Sequence, residues 1–149
     1  TFEFSDNLLS LKDINIMVGR KTNESSSSIG WKSAISEVVP KNEKLKIDWF
    51  SGILVLPFGE IVNYVHMGYG STYENYILLE VDKGVLKKSK EFDHKKYEEF
   101  KQRQFEAFKK TDEYKKLVEE LKKENRDAKL IESFLRDFVV NYSSKILVD

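Results

Sequence analysis

The chain has 149 residues, with 25 acidic and 25 basic side chains and a formal net charge of zero. That length suits one domain with a core that needs no staple, and the absence of cysteine excludes disulfides, thiolate metal sites and a cysteine nucleophile. Balanced charge leaves no basic field for nucleic acid or an anionic membrane, and no apolar run approaches the ~20 residues of a membrane span.

Residues 1–43 carry the weakest pattern. Ile14–Val18 reads as a short strand ending at Gly19. Residues 21–28, KTNESSSS, read as an exposed loop, because four serines in a row build no core. Ile29, Ala34, Ile35 and Val38 recur at near-helical spacing and stop at Pro40, which predicts a short helix.

Residues 44–92 read as an antiparallel meander. Leu45–Trp49 alternates as a half-buried strand does, and Ile53–Leu56 is a continuous apolar run of the central-strand kind. Leu56-Pro57-Phe58-Gly59 has proline and glycine at the second and fourth turn positions, so it predicts a hairpin turn. Glu60–Met67 then returns as a strand. Gly68–Ser71 turns the chain into Thr72–Val81, and Asp82-Lys83-Gly84 turns it again into Val85–Phe92.

Beyond Asp93 the period becomes helical. Asp93 and Thr111 are placed to cap helices starting near His94 and Asp112. Tyr97, Phe100, Ala107 and Phe108 share one broad face of the first helix. Tyr114, Leu117, Val118 and Leu121 line the second. Leu130, Ile131, Phe134, Leu135, Phe138 and Tyr142 line the third. Ile146–Val148 reads as a last short strand or a tail pinned to the core. The expected core includes Phe100, Leu117, Leu121, Phe134 and Phe138.

The expected fold class is therefore α+β. An antiparallel β-meander over about residues 44–92 packs against a C-terminal layer of three helices over about residues 94–143, in a single domain of residues 1–149.

One stretch combines turn glycines with reactive and aromatic side chains: YVHMGYGSTYENY, residues 64–76, with four of the chain's seven tyrosines. Tyr64, His66, Tyr69, Tyr73, Glu74 and Tyr76 are the candidate binding residues, since tyrosine makes a rigid anchor with a polar tip. The stretch lacks the glycine spacing and lysine of a phosphate loop, and Ser71 lies outside any nucleophile elbow. A four-residue loop sets His66 against Tyr73 and Tyr64 against Asn75. A five-residue loop sets His66 against Glu74 and Tyr64 against Tyr76. In the second register His66 and Glu74 become candidate catalytic residues, the carboxylate orienting an imidazole base. No ligand spacing points to a metal, and no motif to a cofactor.

The first functional expectation is a non-catalytic module that binds a protein partner or small ligand, as a toxin- or effector-neutralising protein does. The alternatives are a small enzyme using His66 with Glu74 or a nearby tyrosine, and a structural domain of a secreted or surface protein. The expected partner is a protein, with no nucleic acid and no membrane span. Thr1 opens the chain where a methionine is usual, so the expected location is cytoplasmic or, with a signal removed, extracytoplasmic.

Overall fold

The structure is a computed structural model that describes residues 1–20, 28–40, 43–66, 70–124 and 127–149. The loop expected at 21–28 lies outside them except for Ser28. The backbone divides into two compact units, Thr1–Phe50 with Lys83–Val85, and Ser51–Asp82 with Leu86–Asp149.

In the first unit, β1 (Phe2–Ser5) and β2 (Leu8–Leu11) form a hairpin. Its turn residues Asp6 and Asn7 have φ of 51° and 63°, left-handed backbone that Asp and Asn tolerate better than other side chains. β5, only Leu45–Lys46, pairs with β2, so the strand expected to reach Trp49 is cut short and leaves Trp49 exposed. β3 (Asn15–Arg20) and β4 (Ser28–Ser33) form a separate two-stranded hairpin. This corrects the expected helix: Ile29 lies in β4, opposite Gly19, and only Ile35–Glu37 makes a 3₁₀ turn. Pairing with β3 overrides the accidental helical spacing, and β4's Ile29 and Trp31 favour a strand in any case.

The second unit carries the core. β6 (Gly52–Asn63), β7 (Thr72–Asp82) and β8 (Val85–Asp93) follow one another, with β7 between the other two and β6 outermost. The expected turn at Leu56–Gly59 is absent. β6 runs straight through it, and Pro57 pairs with Tyr76. An outer strand tolerates a proline whose missing N–H faces away from the ladder. β6 is thus an edge strand, although its apolar run reads as a central one.

The helices follow their caps. The Asp93 carboxylate accepts from the Lys96 N–H at 2.8 Å and starts α1 (His94–Phe108). Thr111 starts α2 (Asp112–Lys123), its hydroxyl accepting from the Tyr114 N–H. Asp127 starts α3 (Ala128–Asp137). The third expected helix is two: at Phe138 the backbone leaves helical geometry, with φ −113° and ψ 24°, and α4 (Val139–Tyr142) begins. That break resets the wheel. Val139 and Val140 take the buried positions, while Phe138 is 49% exposed and Leu130 also faces solvent.

Tyr76 and Leu78 of β7 pack with Tyr97, Phe100, Phe105 and Phe108 of α1, and with Ile131, Leu135, Val139 and Val140. Leu117, Leu121 and Phe134 sit against this cluster only partly buried. The protein is an α+β fold, an antiparallel β-meander with a C-terminal group of helices. Among the described residues no helix is long and apolar enough to cross a membrane.

Candidate functional site

The register between β6 and β7 decides what the tyrosine-rich stretch becomes. From Gly52↔Val81 to Phe58↔Asn75 the pairing is regular, and it then shifts before Ile61↔Tyr73 and again before Asn63↔Thr72. The pairing ends at Asn63, so Tyr64 and His66 lie beyond the ladder. Neither expected register forms. The irregularities absorb residues of β6, and the connection from β6 to β7 is longer than either loop considered.

Gly59 sits at the first irregularity with φ +86°, a left-handed conformation typical of a glycine bulge. The N–H of Glu60 donates to the Glu74 carboxylate at 3.1 Å. A Cβ on Gly59 would lie 2.7 Å from that same oxygen. Glu74 is therefore occupied in satisfying a bulge.

His66 has a different partner. Its Nδ1 lies 3.3 Å from the Tyr64 hydroxyl, with the two rings edge-on at 6.4 Å. Tyr64 is 67% exposed. The loop neck is fixed by Ser71, whose Oγ accepts from the Val65 N–H at 3.0 Å and donates to the Val65 carbonyl at 3.3 Å. The structure thus gives the imidazole of His66 and the carboxylate of Glu74 separate tasks. Tyr69 lies outside the described residues.

Tyr73 and Tyr76 turn inward. Tyr73 packs against the core, and its N–H donates to the Tyr76 hydroxyl at 2.8 Å. Tyr76 is 6% exposed and stacks on Tyr97, ring centroids 4.1 Å apart and planes 20° apart. It is a core residue, not part of an exposed surface. Burial pushes the Tyr97 hydroxyl well above the ordinary tyrosine range, with neighbouring Tyr76 and Glu98 adding to the effect. A tyrosine whose folded pKa is raised contributes its stability in full below the unfolded value of ~10, and that contribution is lost as pH rises through the folded value. Stability is therefore expected to fall as the solution is made alkaline beyond about pH 10, and Tyr97→Phe, which keeps the ring and its stack, should lessen the fall. Urea melts of both chains at neutral and alkaline pH check this; the same decline in the variant would remove Tyr97 as its cause.

Sequence reading missed the apolar side chains that lead into this loop. Leu56, Phe58, Ile61, Val62 and Val65 are all exposed. Of these only Leu56 belongs to the run that reads as a central strand; Phe58 reads as part of a turn, and Ile61, Val62 and Val65 as part of a returning strand, whose apolar side chains at both odd and even positions were the signal. Elsewhere, a shallow cleft beside α1 is lined by Phe92, Lys96, Glu99, Gln102 and Arg103, a set of mixed charge without a nucleophile. Among the described residues no group of three or more His, Asp or Glu side chains could hold a metal ion. No family model, curated protein or solved structure matches the chain.

Proposed function

We propose that the chain is a non-catalytic protein-binding module whose contact surface runs along the outer half of β6 into the loop after it. The observation that carries this reading is the exposed series Leu56, Phe58, Ile61 and Val62 on an edge strand, with exposed Tyr64 just past its end. A single exposed apolar side chain is ordinary, but several along one outer strand support an interaction surface. Tyr64 supplies the rigid amphipathic anchor that interfaces favour, and His66 supports its hydroxyl. The only charge in β6 is Glu60, so the partner's complementary face is apolar with hydroxyl or amide groups rather than strongly charged. Acid–base catalysis has less support. Tyr64 and His66 lie open to solvent, where electrostatic stabilisation is weak, and Glu74 serves the bulge.

Tyr64→Ala is expected to weaken partner binding by about 1–2 kcal/mol, the effect of losing an interface anchor, with thermal stability unchanged because the ring is exposed. Cross-linking from cell extract, mass spectrometry of the captured protein and titration of that protein against both chains test this. Equal affinity for the two chains, or capture that survives Ile61→Asp with the fold intact, would sink the reading.

A further inference from the structure

Residues 143–149 form neither helix nor strand, yet side chains hold their main-chain groups closely. Gln104 of α1 is 0% exposed. Its Nε2 donates to the Lys145 carbonyl at 2.7 Å and to the Ser143 hydroxyl at 2.9 Å, and its Oε1 accepts from the Leu147 N–H at 2.9 Å. One side-chain amide thus does for the segment around Ile146 what the main chain of a neighbouring strand would do. Buried Glu80 of β7 accepts from the Ile146 N–H at 2.7 Å. From β8, Lys88 donates to the Ile146 carbonyl at 3.4 Å and Lys90 to the Val148 carbonyl at 3.2 Å. Lys90 also pairs with the Asp149 carboxylate at 3.6 Å. Glu113 of α2 accepts from the N–H and hydroxyl of Ser144.

The side-chain requirements alternate. Ile146 is buried and Val148 packs on the core, while Leu147 between them is exposed. A segment needed only to cover the core would rely on those apolar contacts. A fully buried amide and a buried carboxylate devoted to main-chain groups are instead the means by which a groove recognises an extended peptide, with main-chain bonds for affinity and alternate sockets for specificity. In an emptied groove water would take the place of the main-chain groups on the Gln104 amide and the Glu80 carboxylate, so the two side chains can release one peptide and receive another.

We propose that β7, β8, α1 and α2 form a peptide-binding groove, occupied here in cis by residues 144–149, and that it accepts in trans an extended peptide carrying apolar, unrestricted, apolar and acidic side chains in that order. Lys90 on β8 matches the carboxylate of such a ligand.

The test frees the groove in the full chain with Ile146→Glu, which sets a second carboxylate beside Glu80. The probe is a fluorescein-labelled synthetic peptide of sequence SKILVD, followed by anisotropy. Saturable one-to-one binding is expected, about tenfold or more tighter than to the unaltered chain, where the resident segment competes. Adding Gln104→Leu should weaken that binding about tenfold or more, since both main-chain bonds from the amide are lost. A folded Ile146→Glu chain that fails to bind the peptide at millimolar concentration overturns the proposal. If Ile146→Glu does not fold, amide exchange in the unaltered chain decides. Exchange of the Ile146 and Leu147 N–H groups by local opening, independent of low denaturant, supports an exchangeable ligand, and exchange only with the Phe100 amide, through global unfolding, overturns it.

Discussion

Phe100→Ala is expected to lower the unfolding free energy by about 3–5 kcal/mol. Phe100 is 0% exposed, and its ring lies 4.8 Å from that of Phe92. The substitution removes buried apolar surface and leaves a void that α1 and the helices packed on it fill only in part. A loss of that size is a large fraction of the ~5–15 kcal/mol that holds an ordinary domain folded. Urea melts measure it as a lower midpoint at unchanged slope. Phe138→Ala is the matched control. Half exposed and in contact with Phe134 at 5.1 Å, it should cost well under half as much. Equal losses at the two positions would mean that the helix faces are misassigned.

Gly84→Ala should cost about 2–4 kcal/mol, close to the upper range of single substitutions. Lys83 and Gly84, with φ of 48° and 74°, form the two-residue turn between β7 and β8, and left-handed backbone costs a residue with a Cβ roughly 1–2 kcal/mol. Space adds to the strain, since a Cβ on Gly84 would stand 2.5 Å from the carbonyl oxygen of Ile47. That oxygen is main chain and cannot swing aside. The same glycine donates its N–H to Phe50 at 2.9 Å and accepts from Leu9 at 2.7 Å, so moving the turn breaks bonds as well. Gly30→Ala, where among the described residues no atom beyond the chain neighbours lies within 4 Å of the added carbon, should leave the midpoint unchanged or raised. If both substitutions are neutral, the close approach at Ile47 is wrong.

Most of the fold was legible in the sequence where local chemistry decides it. Asp93 and Thr111 cap the helices that start after them, because a capping side chain acts within three residues; the cap at Asp127 is of the same kind but was not among the expectations. The turn at Lys83–Gly84 was legible for the same reason. Pro57 and Gly59 were misread because their chemistry permits two outcomes. A proline with a glycine two residues later suits a turn, but also an edge strand with a bulge, and only pairing along the whole of β6 selects between them. The candidate site failed at the same point. Its expected registers were counted outward from the glycines at 68 and 70, whereas the actual pairing runs inward from Gly52↔Val81 and meets two irregularities on the way. Tyr76 consequently went to the core, and Glu74 to the bulge. Gln104 carried a signal that was passed over: it lies four residues from both Phe100 and Phe108, a polar side chain on the apolar stripe of α1.

Pro57 has a further consequence for the chain at high concentration. A twelve-residue outer strand with apolar side chains on view is the kind of template on which a second molecule could stack as an added strand and so seed aggregates. A proline midway along it interrupts the row of donors that such stacking needs, and the irregularities beyond Phe58 bend the last third of the strand. The exposed side chains therefore stay on view, while the backbone beneath them makes a poor seed for fibrils.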